Sequence, residues 1–407
     1  MNYIVIILTV AMLFGFSDFL TERYPRLQKD IYYIAFAVVS VLFAIKYYYG
    51  PDIASYVPFY KTVQRPEYLI AHPDEIGLDF ELGYALFCSI LKGWGVSFYW
   101  MTAIVSIFYF AAIGLLFKNI DRKQSFALAI LVVLDYKCIF ATYRQCLAVS
   151  CFVLMLLCLR NRRYLWVTIL AVLTVFFHKS GVFVVSVVLF YYIIRSKRVQ
   201  PYLYQFLLIV LALVFLLPIA KFSSGFIAHL PLPTSYLHSL EHHLSLGRQI
   251  QTVFLVYAAT MVCMAHFSQY HHTRMQVIAA AALVGLVVVA VLYQYYYLLE
   301  RVRSYFLPIV IVAVFNLVQQ AEDTQKKIPY GAFIKQLCSL LIFVFMIHSV
   351  HNFYKGSLQL KNNVYKSCTV FELIDHRPKD VQNAQLKLAV KYWQEDFMKN
   401  ENNKINR

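Results

Sequence analysis

Apolar and polar residues fall in long blocks along this chain of 407 residues rather than alternating residue by residue. A helix needs about 20 largely apolar residues to cross the hydrocarbon core of a bilayer. Blocks of this kind predict helices at 2–17, 31–48, 98–117, 125–142, 144–159, 164–177, 180–194, 202–219, 250–268, 276–298, 304–320 and 333–352. The fold class expected is therefore all-α: a polytopic integral membrane protein with about 12 transmembrane helices over residues 1–352 and a polar tail at 353–407. In that tail Leu386, Ala389, Val390, Trp393 and Phe397 recur at helical spacing, which predicts an amphipathic surface helix.

The most informative stretch is 143–181. Tyr143-Arg144-Gln145 opens an apolar run, Arg160-Asn161-Arg162-Arg163 makes a basic turn, and a second apolar run ends at His178-Lys179-Ser180-Gly181. This reads as a membrane hairpin with its turn in the cytoplasm, because cytoplasmic loops are enriched in Lys and Arg. Both open ends then lie at the outer face, where Arg144 and His178 become neighbours at the edge of the lipid. Ionisable groups in that position are costly and usually functional.

Basic clusters elsewhere alternate in the same sense. Arg23, Arg26 and Lys29, then Lys118, Arg122 and Lys123, then Arg195, Lys197 and Arg198, then Arg274, then Lys326 and Lys327 mark every second loop as cytoplasmic. The two long loops, at about 49–97 and 221–249, fall on the outer side. The first carries Asp52, Lys61, Arg65, Asp74, Glu75, Asp79 and Glu81. Its apolar stretch before Gly93-Trp94-Gly95 is short for a span and predicts a re-entrant or interfacial helix. The span count puts the tail outside while its basic balance pulls it inside, and both placements stay open.

Composition sharpens this picture. Hydrophobic residues are 60% of the chain and charged residues 14%, which excludes an ordinary soluble domain. The net charge of +16 sits largely in short loops, so it reports topology and not nucleic-acid binding. The eight cysteines show no CxxC and mostly lie inside apolar runs, as small core residues do. The first apolar run lacks a basic leader and a small-residue cleavage site, so it is expected to be a retained helix. No P-loop, GxGxxG or GxSxG occurs, which leaves nucleotide-driven transport and a serine hydrolase without support.

Several residues are candidates for chemistry. The planar fork of Arg144 suits a phosphate or pyrophosphate, with Gln145 and Lys179 beside it, and His178 suits a proton shuttle. Asp135, near the outer end of the fourth span, is either a general base or the partner of a cation such as Arg144; Lys137, two residues on, points to another helix face. Asp52 comes after Gly50-Pro51 and is expected to cap the segment that begins there, with Tyr56 one turn on. Glu81 precedes Gly83-Tyr84. Carboxylates beside aromatic rings suit a sugar-handling surface, and aromatics also serve as interface anchors. Arg301 and Arg303, with Glu300, are read at the outer end of the tenth span, and Arg248 lies just before the ninth. His238, Glu241, His242 and His243 include a zinc-compatible i, i+4 pair, but without HExxH no metal and no cofactor is expected.

Tyr49-Gly50-Pro51-Asp52 with Tyr56, Glu81-Leu82-Gly83-Tyr84, Arg144-Gln145 with Leu147-Ala148, and Phe177-His178-Lys179-Ser180 together resemble the EpsG family of bacterial exopolysaccharide proteins, which is similar to Wzy-type polymerases. Gly50 and Asp52 keep the family's Gly-x-Asp, and Leu82 stands where its pattern has proline. The resemblance implies a helical membrane bundle like that of lipid-linked, GT-C-like glycosyltransferases, located in the bacterial inner membrane. It implies a polymerase that joins repeat units carried on undecaprenyl pyrophosphate at the outer face, for O-antigen, capsule or exopolysaccharide. The expected partners are the lipid-linked oligosaccharide, the bilayer, and the chain-length regulator and flippase of the same pathway. In this reading Arg144, with Arg301 or Arg303, stabilises the leaving pyrophosphate, and Asp52, Glu81, Asp135 or His178 supplies the base. A flippase for the same units, a glycan ligase, a membrane acyltransferase and a structural assembly partner are the competing readings.

Overall fold

A computed structural model describes residues 3–46, 52–76, 80–182 and 296–323, together with scattered positions within 184–188, 278–285 and 383–391. Predicted spans between 202 and 268 and at 333–352, the loop at 221–249 and most of the tail lie outside the described residues. The described chain is helical: α1 (Tyr3–Leu20), α2 (Pro25–Ala44), α3 (Ile53–Thr62), α4 (Pro66–Ala71), a 3-10 turn (Pro73–Ile76), α5 (Leu82–Gly93), α6 (Phe98–Phe117), α7 (Gln124–Ala141), α8 (Tyr143–Arg160), α9 (Tyr164–Phe177) and α10 (Tyr296–Asp323). Among the described residues, α2, α6 and α8 are long and apolar enough to cross a membrane, at 20, 20 and 18 residues.

The chain forms two compact units. The first comprises residues 1–150, 176–179 and 332–407, and the second comprises 151–175 and 180–331.

In the first unit α1, α2, α6 and α7 pack together around aromatic side chains. Phe43 of α2 lies 5.2 Å from Phe110 of α6 and 4.6 Å from Phe140 of α7, ring centre to ring centre. α1 meets α7 at Gly15, where an added Cβ would stand 2.8 Å from the Ala129 Cβ, so only glycine permits this approach. Local sequence sets the helix starts. Pro25 and Pro66 open α2 and α4, where a missing N–H costs nothing. Ser97 accepts the Trp100 N–H at the start of α6.

α7 is held at both termini by charged side chains, one from α1 and one from just past α2. At its start, the Asp18 carboxylate of α1 accepts the Phe126 N–H at 2.8 Å, one of the donors a helix cannot satisfy internally. At its end, Lys46, just past α2, donates to the Ile139 carbonyl at 2.6 Å. Negative charge at the N-terminus and positive charge at the C-terminus both complement the helix dipole. α7 and α8 are separated by Thr142 alone, whose N–H and hydroxyl both bond the Cys138 carbonyl.

The loop predicted at 49–97 is substantially helical. α3, α4 and α5 are short; α3 continues through Pro58, and α5 gives way to a turn at Gly95, whose φ is +76°. α5 has 12 residues and so extends about 18 Å, short of the hydrocarbon core. Its first residue is Leu82, at the position where proline would be equally at ease.

In the second unit the sequence expectation is corrected at 296–323. The sequence reading has separate spans at 276–298 and 304–320, with Glu300, Arg301 and Arg303 at the outer end of the first of them. Instead α10 runs without a break for 28 residues through Glu300, Arg301 and Arg303. Glu and Arg are good helix formers, so charge marks polarity here and not a helix end. Val302, Tyr305, Phe306, Ile309, Val312 and Ala313 are buried at helical spacing. Tyr305 lies 5.7 Å from Phe152, and its hydroxyl is 3.1 Å from that of Ser180.

Candidate functional site

Three segments of the first unit converge on one carboxylate. Glu81 sits just before α5 in extended backbone, and its side chain makes no cap bond to its own helix. Its Oε2 accepts a hydrogen bond from Nη1 of Arg144, in the first turn of α8, at 2.7 Å. Its Oε1 accepts the Lys179 backbone N–H, just past α9, at 3.0 Å. The start of α8 and the end of α9 are thus tied to opposite oxygens of one side chain. Gly83 lets the start of α5 come this near α9, because a Cβ there would stand 2.6 Å from the Phe176 carbonyl oxygen.

The guanidinium is oriented on further sides. Nε of Arg144 donates to the Tyr56 hydroxyl of α3 at 3.2 Å. Its carbon lies 4.9 Å from the Phe80 ring centre and 5.7 Å from that of Tyr56, distances that favour cation–π attraction. Phe80 is stacked on Phe59 at 4.0 Å, and Tyr84 lies nearly parallel at 5.9 Å from Phe80. Tyr56 packs on Tyr143 at 5.1 Å. Arg144 keeps 22% of its side-chain surface exposed, against 8% for Glu81. Planar rings and a carboxylate therefore fix a cation that still reaches the edge of the cluster.

Electrostatics follow from this arrangement. Burial pushes the Glu81 carboxyl up, but the Arg144 charge, His178 and the Lys179 N–H outweigh it and hold Glu81 below the usual glutamate range. A carboxylate so stabilised is a weak proton acceptor, so Glu81 orients Arg144 and is a poor choice of base. Burial pushes the Tyr56 phenol up to about 12 despite the Arg144 charge, which keeps it neutral at physiological pH. His178 is buried within electrostatic reach of Glu81.

The other sequence candidates divide. Asp52 stands before α3 with its backbone in the helical region and makes no side-chain cap, contrary to the expectation; its carbonyl accepts the Ser55 and Tyr56 N–H groups instead. Tyr84 is fully buried behind Tyr56, and Gln145 is buried on α8. Lys179 contributes its N–H to the cluster while its side chain is exposed. Asp135 is buried inside α7, within electrostatic reach of Tyr109. Arg301 is exposed and Arg303 half-buried on α10, in the second unit. Arg248, the histidines at 238–243 and the side chains of Lys137 and Glu300 lie outside the described residues. Sequence reasoning missed Phe80, Phe59 and Lys46. The available signals were an aromatic directly before Glu81, an aromatic three residues after Tyr56, and one charge inside the apolar run at 31–48.

Comparison with known proteins bears on what this cluster serves. Residues 31–364 match the family model of the EpsG family. The chain belongs to the EpsG family. The match contains every residue of the cluster, from Tyr56 to Lys179. EpsG membership ties the chain to exopolysaccharide biosynthesis, and its apolar helices to a membrane. No curated protein and no solved structure matches it.

Proposed function

We propose that this EpsG-family protein is a glycosyltransferase-type polymerase of a bacterial surface polysaccharide. It joins repeat units carried on a lipid pyrophosphate, undecaprenyl pyrophosphate in bacteria, at the outer face of the cytoplasmic membrane. The observation that carries the reading is Arg144, a partly exposed guanidinium held by Glu81 and Tyr56 at the first turn of a membrane-length helix. The alternating basic loops favour the outer face for this end of α8.

In the reaction a hydroxyl oxygen of the acceptor unit attacks the anomeric carbon of the donor chain. The bond from that carbon to the phosphate oxygen breaks, and lipid pyrophosphate leaves with the bonding electrons. Arg144 meets the negative charge that grows on the leaving oxygen, and the orientation imposed by Glu81 means little reorganisation is needed as it develops. The hydroxyl proton passes to a base; His178, buried beside the cluster, fits that task better than Glu81, which is held ionised. Arg301, Arg303 and Arg248 are further candidates for the pyrophosphate, and Asp52 and Asp135 for the base. The lipid-linked oligosaccharide and the bilayer are direct partners, and a chain-length regulator and flippase act in the same process.

The test is the surface-glycan length profile of a deletion strain complemented with wild type or Arg144→Ala, at matched membrane levels. The expected result is long chains with wild type and single lipid-linked units with the variant. Long chains with Arg144→Ala remove that residue from the site. Units accumulating on the cytoplasmic side identify a flippase, and long lipid-linked chains that never reach their final acceptor identify a ligase.

A further inference from the structure

Lys46 is the least expected charge in the first unit. It is 1% exposed, just past a membrane-length helix, and takes no part in the chemistry proposed above. Its Nζ donates to the Ile139 carbonyl at 2.6 Å and lies 5.6 Å from the Phe140 ring centre and 5.0 Å from that of Tyr143. Ile139 is in the last turn of α7 and Tyr143 is the first residue of α8, so one ammonium grips both sides of the break at Thr142. Broken helices at membrane depth persist only where their backbone groups find other partners. Here the Thr142 N–H and hydroxyl and the Cys146 thiol serve the Cys138 carbonyl, and Lys46 serves that of Ile139.

The grip leads to the guanidinium. Arg144 follows Tyr143 directly. The Tyr143 ring packs at 5.1 Å on Tyr56, whose hydroxyl accepts from Arg144 Nε at 3.2 Å. A shift of Tyr143 therefore moves Arg144 through the backbone and through its phenol partner together. We propose that Lys46 is a positioning residue for the Arg144 site: by fixing the α7–α8 break and the Tyr143 ring, it sets where the guanidinium stands. It touches no substrate and acts only through Arg144. This inference rests on the polymerase reading for its activity test, and on the geometry alone for its second test.

The test compares Lys46→Met with wild type in the deletion strain, with the exposed Lys118→Met as control. Displacement of a reacting group by about 1 Å can cost about a hundredfold in rate. Lys46→Met is expected to slow chain lengthening about tenfold to a hundredfold at matched protein level. Wild-type lengthening by Lys46→Met overturns the proposal. Where Lys46→Met does not accumulate, Lys46→Gln replaces it: it keeps a donor for Ile139 but removes the charge from the rings, and wild-type lengthening with it is equally fatal. In parallel, maleimide labelling of Arg144→Cys is compared with and without Lys46→Met, after subtracting the parent chain's labelling. Several-fold faster labelling in the double variant is expected, and equal rates overturn the inference. If wild type itself never lengthens glycan, the polymerase reading fails, and the labelling comparison alone decides the role of Lys46.

Discussion

Replacing Glu81 with glutamine separates the charge of this side chain from its shape. The carboxylate accepts two hydrogen bonds, from Arg144 at 2.7 Å and from the Lys179 N–H at 3.0 Å. Glutamine has one carbonyl oxygen and one NH2 group, so whichever way it turns, one donor faces another donor. A hydrogen bond to a charged group is worth about 1.5–3 kcal/mol, and stranding a fully buried ion costs about 3–5 kcal/mol. Arg144 retains 22% exposure and can recruit water, so the loss belongs at about 2–3 kcal/mol. At ~2 °C per kcal/mol, the low end for large domains, the melting temperature in detergent should fall by about 4–6 °C. The pH dependence gives a second, sharper readout. The folded-state pKa of Glu81 lies below its unfolded value, so its stabilisation is complete above the ordinary glutamate range near about 4.3 and is lost as pH falls through the lowered folded value. The gap between wild type and Glu81→Gln should therefore be constant from neutral pH to about pH 5 and close in stronger acid. Equal melting temperatures at pH 7, or a gap that persists unchanged to about pH 3, refutes the account of Glu81 as the ionised holder of Arg144.

Three other substitutions probe separate contacts. Gly83→Ala puts a Cβ 2.6 Å from a backbone oxygen that cannot swing away, and should cost about 3 kcal/mol or more, read as a steep fall in melting temperature and membrane level. Tyr56→Phe keeps the ring and removes only the acceptor of Arg144 Nε, so it should cost about 1.5 kcal/mol and melt between wild type and Glu81→Gln; melting below Glu81→Gln contradicts the ranking. Asp18→Ala removes the acceptor for the Phe126 N–H and should cost about 1–2 kcal/mol, with faster amide exchange at the start of α7.

Much of the hairpin was legible because hydropathy reports where lipid-facing blocks begin and end. Arg144 and His178 stand at such ends, and the short basic turn between the runs folds them onto one level. The carboxylate that joins these ends was visible only as one acid among several in a long loop. Its selection depends on Gly83, whose lack of a side chain brings α5 against α9, and no linear pattern announces that approach. α3 and α4 were hidden because helices of ten and six residues make too few turns for a periodicity to show. α10 was split because three charges in four residues lower local hydropathy without disturbing helix formation. Lys46 was lost for the opposite reason: a single charge is averaged away by the apolar residues around it. The Asp52 side chain was expected to cap a helix from its residue type, but the backbone is already helical there, so its carbonyl begins the ladder instead.

The paired grips on α7 act as a length gauge. From the Phe126 N–H to the Ile139 carbonyl the helix advances 13 residues, about 20 Å, and the α1–α2 hairpin presents Asp18 and Lys46 at matching separation. Apolar exchanges within α7 leave that interval unchanged. One inserted or deleted residue alters it by about 1.5 Å and turns one grip about 100° away from the other, so both cannot hold. The hairpin, which leaves the ribosome before α7, thus carries a measure against which a later helix is checked, and the position of Arg144 depends on that measure.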